Sequence, residues 1–228
     1  MSFPDLPRRF EEQQYPWVAV DLVIFTLDRK TLKCLLVQVK EGPLAGMWAF
    51  PGGLVGSQES LDEAARRELY ERTSLKDIFL EQLYTFGKPD RDPAKRVVSV
   101  SYWALAPYRR VQLKLEGKYG AVQWFSPGRL PRLAYDHDQV ARLAQERLRA
   151  KLYYTNIVYS ILPREFTLGE IQQVYEAILR RSLDRRNFRK KILAAGLLKP
   201  LSKMRKGAHR PALLYAFKKR KPMMIEML

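Results

Sequence analysis

The sequence predicts an α/β protein: a layered N-terminal domain followed by a smaller, basic domain of helices and a hairpin. Three observations carry this. Apolar, β-branched runs flank a capped helix between residues 17 and 125. Beyond residue 136 the pattern changes to helical spacing interrupted by two further helix starts. Charge is also unevenly divided. The 228 residues hold 41 Lys and Arg against 24 Asp and Glu, a formal +17, whereas Lys151 to Leu228 alone hold 18 basic against 5 acidic residues, a balance of +13. One third of the chain thus carries most of the excess, the pattern of a polyanion-binding module joined to a near-neutral one.

In order, Trp17–Leu27 and Cys34–Val39 read as two strands separated by a turn at Asp28-Arg29-Lys30. Ser60 with Glu63 forms a capping-box pair that starts a helix running to Arg72. Phe79–Phe86, Val97–Ala106 and Ala121–Phe125 complete the strands. Asp138–Leu152 contains neither Gly nor Pro and spaces Val140, Leu143, Ala144 and Leu148 as one helix face. Thr167 with Glu170 is a second capping box, opening a helix to about Leu179, and Asp184 caps a third that ends near Gly196. A basic turn at Lys206-Gly207 then precedes the apolar strand Ala212–Phe217. Helix, short turn, helix and basic hairpin outline a winged helix-turn-helix.

Composition excludes several classes. Apolar residues make up 46% and charged residues 29%, which favours a packed core over disorder. A single Cys34 excludes a disulfide framework and a multi-cysteine zinc site. Neither an apolar N-terminal run suited to a signal peptide nor a stretch of roughly 20 apolar residues is present, so a cytoplasmic protein with no membrane partner is expected.

The most specific local pattern runs from Phe50-Pro51-Gly52-Gly53 through Glu59 to Arg67-Glu68-Leu69-Tyr70-Glu71-Arg72-Thr73-Ser74-Leu75. Glu68 and Glu71 are three apart on one helix, so their carboxylates share a face and are candidate oxygen ligands for Mg²⁺. Gly53, Glu59, Arg67, Glu68, Leu69, Glu71 and Leu75 match the Nudix box in register, and the segment resembles it. That resemblance implies an α/β/α sandwich with a mixed sheet and a site for nucleoside diphosphates linked to another group. Two positions depart from it. Arg72 stands where a metal-binding Glu belongs, and Ser74 replaces a Gly. The guanidinium changes the formal charge of the trio from −3 to −1 and cannot shed its proton, so no catalytic residue is expected and Mg²⁺ binding should be weak. An ion-paired, solvated helix face remains the alternative for Glu68 and Glu71. Around the box, Gly52 and Gly53 would let backbone approach a ligand, Trp48 and Phe50 could stack on a base, and Arg91 or Arg96 could clamp phosphate. Core aromatics and a solvated loop are the competing readings.

In the basic third, Phe188, Ile192 and Ala195 form an apolar stripe on the helix after Asp184. Beside it lie Arg185 with Arg189 and Arg186 with Lys190, each pair four apart, and Asn187. The first turns of such a second helix meet base edges in the major groove, where Arg pairs with guanine and Asn with adenine. Lys203, Arg205, Lys206, His209 and Arg210 would belong to a wing reaching phosphate or the minor groove, and Lys218–Lys221 adds basic charge at the tail.

Across about residues 15–220 the chain resembles Nudix-related transcriptional regulators of NAD metabolism. Further stretches that carry the resemblance are Tyr84–Pro93, Asp136-His137, Phe166–Glu176 and Leu183–Lys191. It implies a Nudix-like effector domain over 1–135, a linker helix over 136–153 and a winged helix-turn-helix over 154–228. It further implies a homodimeric repressor that needs no cofactor, binds palindromic double-stranded operator DNA and senses ADP-ribose or an NAD-related nucleotide. An active ADP-ribose pyrophosphatase and a regulator of sugar (arabinose) use are the alternatives.

Overall fold

The computed structural model describes residues 15–115, 117–205 and 211–225. The larger sheet contains β1 (Trp17–Asp28), β2 (Thr31–Val39), β3 (Trp48–Ala49), β4 (Gly52–Leu54), β5 (Leu80–Phe86), β6 (Val97–Leu105) and β7 (Tyr119–Phe125). Its path is β3-β2-β1-β6-β5, with β4 paired to β1 and β7 to β2. The β1–β6 pairing is parallel, from Trp17 opposite Val97 to Phe25 opposite Leu105, and the other pairings are antiparallel. The sheet is therefore mixed.

Strand β1 is apolar almost without interruption because both of its faces are covered. Val20, Leu22 and Ile24 pack with Ala64, Ala65 and Leu69 of α1 (Leu61–Thr73). Val23 and Phe25, on the opposite face by the two-residue period, pack with Val140, Ala144 and Leu148 of α2 (His137–Tyr154). The expected helix start at Ser60 is present: its hydroxyl accepts from the Glu63 N–H, and the Glu63 carboxylate accepts from the Ser60 N–H. The helix closes at Ser74, whose left-handed φ of 56° is the conformation for which glycine is best suited.

The C-terminal part joins a three-stranded antiparallel sheet to two helices. Strand β10 (Ala212–Phe217) lies between β8 (Phe166–Thr167) and β9 (Leu198–Arg205), beside α3 (Leu168–Leu179) and α4 (Arg185–Ala194). Tyr175 of α3 meets Phe188 of α4 edge-on, with ring centroids 5.2 Å apart. One apolar cluster runs from Val23 and Phe25 through Leu148 and Leu152 to Ile171, Phe188 and Phe217. Helix α2, expected as a connector, thus contributes to core on both sides of itself.

Sequence reading missed β3 and β4, which are too short to show a two-residue period and arise from pairing with β2 and β1. It also started β7 two residues late, because Tyr119-Gly120 gives a weak strand signal.

Candidate functional site

A cleft of about 360 Å³ opens where β1, β4 and the β5–β6 loop meet the start of α2. Of the residues expected to bind a ligand, Phe50, Gly52, Gly53 and Arg91 line it. Trp48 does not. Its ring packs edge-on against Phe125 at 4.8 Å, so it serves the core. Arg96 does not either, because its guanidinium is turned to the carbonyls of Lys88 and Val97.

Gly52 is sterically required by backbone, and Gly53 is required for as long as the Glu68 carboxylate keeps its place. A Cβ on Gly52 would fall 2.3 Å from the Val20 carbonyl oxygen, and one on Gly53 would fall 2.0 Å from Glu68 Oε1. Two residues that sequence reading passed over bind this turn. Lys118 Nζ donates to the Gly52 carbonyl at 2.6 Å, and the Tyr119 hydroxyl both donates to that carbonyl (2.7 Å) and accepts from the Gly52 N–H (3.0 Å). Burial pushes the Tyr119 phenol above its ordinary pKa, so it remains a neutral donor. No motif marks Lys118, which sits in a polar stretch.

A buried polar cluster lies against the cleft. Asp21 accepts hydrogen bonds from Arg91 (3.1 Å) and from the Ser99 hydroxyl. Arg91 also bonds both carboxylate oxygens of Asp136, at 3.1 and 2.8 Å. With its side chain only 4% exposed and held by two carboxylates, Arg91 is an internal strut rather than the free phosphate clamp expected from sequence. His137 accepts the Phe50 N–H on Nδ1 at 2.9 Å, which places its ring proton on Nε2, facing Asp21 Oδ2 at 3.3 Å. Burial alone would raise the Asp21 pKa, but His137, Arg91 and Ser99 outweigh it and hold the carboxyl well below the usual range. The signal for Asp21 was present in the sequence: one charged residue inside the apolar run Trp17–Leu27 demands a buried partner.

The carboxylate helix is tied to itself. Arg67 bonds Glu59 through two nitrogens (2.7 and 3.1 Å) and Glu68 at 3.0 Å, with Glu71 at 3.6 Å. Arg72 pairs with Glu71 at 3.1 Å and lies over the Tyr119 ring, 5.1 Å from its centroid. Hydrogen bonds from Arg67 and from the Gly56 N–H lower the Glu59 pKa to about 2. Glu59, Glu68 and Glu71 are not among the residues lining the cleft. Arg72 puts a guanidinium in place of one metal-binding carboxylate and beside Glu71, and this donor set fits a divalent cation poorly. Glu68 and Glu71, expected to bind Mg²⁺ only weakly, take the ion-paired arrangement that the sequence left as their alternative.

The basic helix is arranged the opposite way. Asp184 accepts from the Asn187 N–H at 2.8 Å and caps α4; Phe188 and Ile192 are buried. Arg185, Arg186, Asn187, Arg189 and Lys190 are all exposed, and among the described residues none of these cations has a carboxylate within ion-pair distance. The wing differs. Lys203 pairs with Glu165 at 2.7 Å and Arg205 pairs with Glu170, so both exposed cations already have intramolecular partners. Lys206, His209 and Arg210 lie outside the described residues. Arg220 of the basic tail is held by the carbonyls of Tyr159, Leu162 and Pro163.

The pattern of the NUDIX domain family matches residues 16–144, and that of the NrtR DNA-binding winged helix domain matches residues 158–217. The chain is 32% identical over 215 residues to the ADPR responsive transcriptional repressor NtrR of Acinetobacter baylyi, covering 92% of this chain and 86% of that one. It is similar to Shewanella oneidensis NrtR in its crystal structure complexed with a 27mer DNA. That match has 35% identity and a TM-score of 0.78, over 88% of this chain and 93% of the other. It is also similar to the NUDIX domain of the same Shewanella protein complexed with ADP ribose, with 34% identity and a TM-score of 0.55, over 64% of this chain and 94% of the other.

Proposed function

From the premise that this chain belongs to the NUDIX family and carries an NrtR-type winged helix domain, we propose that it is a DNA-binding transcriptional repressor responsive to ADP-ribose. Its targets in this reading are genes of NAD biosynthesis or salvage. ADP-ribose, or an NAD-related nucleotide, occupies the cleft beside Gly52 and Gly53, and α4 enters the major groove of operator DNA. A homodimer presents two such helices to a palindrome whose half-sites lie about one helical turn, or a multiple of it, apart.

The observation that carries this reading is the route between the two sites. His137, the first residue of α2, touches the cleft through Phe50 and Asp21, and Leu148 and Leu152 of the same helix pack in the core that contains Phe188 of α4. An effector that favours one setting of α2 changes the spacing of the two DNA helices and releases the operator. It does so only to the extent that it binds the two settings with different affinity. The pyrophosphatase alternative loses support from Arg72, which stands at a metal-binding position of the box and pairs with Glu71, a carboxylate that hydrolysis would need. A gel shift on DNA from upstream of the chain's own gene and its neighbours, run with ADP-ribose, NAD or arabinose, tests the proposal. Release by ADP-ribose is expected, release by arabinose alone selects the sugar regulator, and unchanged binding throughout refutes effector sensing.

A further inference from the structure

Resting on the effector reading above, we infer that the Lys118 ammonium takes the place of a divalent cation and neutralises the diphosphate of the bound nucleotide. A diphosphate entering a half-enclosed cleft loses hydration and needs a compensating positive charge close by. Hydrolases of this fold supply it with a metal held by the carboxylate helix. Here that helix is poorly suited to a metal, because Arg72 replaces one of the ligand carboxylates and pairs with another, Glu71. Arg91 lines the cleft but is committed to Asp21 and Asp136.

Lys118 is placed differently. It lines the cleft, and its Nζ stands 3.4 Å from the point a Gly53 Cβ would occupy, a point that is itself 2.0 Å from Glu68 Oε1. Glycine 53 thus separates the ammonium from a carboxylate that is 3% exposed and whose Oε2 has no hydrogen-bond partner among the described residues. Among the described residues no carboxylate lies within ion-pair distance of Lys118, so the lysine brings one unpaired positive charge on a flexible stem with three donors. One donor is used by the Gly52 carbonyl, leaving two to point toward phosphate oxygens. The selectivity follows: the site favours nucleotides with a central diphosphate over nucleosides or free sugars, with no metal requirement.

Isothermal titration of the full chain with ADP-ribose, once in EDTA and once in Mg²⁺, tests this without any substitution. Equal affinity in the two buffers is expected. Lys118→Gln keeps a donor for the Gly52 carbonyl while removing the charge. It should lose about tenfold or more in affinity, the range for a hydrogen bond to a charged group. Lys118→Arg should retain most of the binding, and thermal melting confirms that each variant is folded. Binding by the unaltered chain that vanishes in EDTA and returns with Mg²⁺ overturns the lysine role and leaves the effector reading standing. So does a folded Lys118→Gln that binds as tightly as the original. Absence of ADP-ribose binding in both buffers overturns the effector reading and this inference together.

Discussion

Helices α1 and α4 both carry dense charge and both were marked by sequence, yet the fold treats their side chains in opposite ways. On α1, Arg67 and Arg72 reach back to Glu59, Glu68 and Glu71, so the charged face is ion-paired within the domain. On α4, five polar residues in the first two turns stand exposed, and their cations lack carboxylate partners among the described residues. In this molecule the charge run that folding leaves without internal counter-ions is the one on α4. The same test separates α4 from its neighbouring wing, where Lys203 and Arg205 are already paired with Glu165 and Glu170.

The most severe way to break the comparison is to remove the support of α4. Phe188 is buried against Tyr175, so Phe188→Ala should cost about 3–5 kcal/mol of stability, seen as a lowered denaturation midpoint together with loss of DNA binding. A smaller and more specific effect is expected at the exposed face. Arg186→Ala or Asn187→Ala should cost about 1–3 kcal/mol of operator affinity if a base contact is lost, with little change in melting temperature. Lys203→Ala, already paired with Glu165, should cost less than either in a competition gel shift. An equal loss at all three positions would erase the distinction between helix and wing.

On the α1 side the sharpest probe is pH. Asp21 and Glu59 titrate below their unfolded values in the folded chain. Their contribution to stability is therefore complete above the unfolded carboxylate pKa values of about 3.9 and 4.3, and it declines as pH falls below them. Thermal melts should show Asp21→Asn lowering stability near neutral pH and flattening the acid-side decline. The smallest expected effect is at the helix end: Ser74→Gly relieves a left-handed serine and should raise stability by about 1 kcal/mol.

How far the sequence reached depended on the range of the interaction. Caps, helix faces and long strands are local, and Ser60, Thr167, Asp184 and the Phe188–Ile192 stripe stood as their spacing implied. The cleft is assembled from distant segments. Lys118 reaches Gly52 across 66 positions and Arg91 reaches Asp136 across 45, so a cation bound to a carbonyl and one bound to carboxylates could not be told apart before folding. Trp48 failed as a ligand candidate for the same reason, because its neighbour Phe125 comes from another part of the chain, whereas Arg96 turns to the carbonyls of Lys88 and Val97, eight positions and one position away.

The most direct single measurement is fluorescence anisotropy of a labelled operator titrated with the purified chain at several salt concentrations, with and without ADP-ribose. Steeply salt-dependent binding that ADP-ribose weakens, while the nucleotide is recovered intact, is the expected result. Failure to bind the fragment at low salt, or rapid conversion of ADP-ribose to AMP, would contradict the assignment of one helix to an internally ion-paired receptor and the other to DNA.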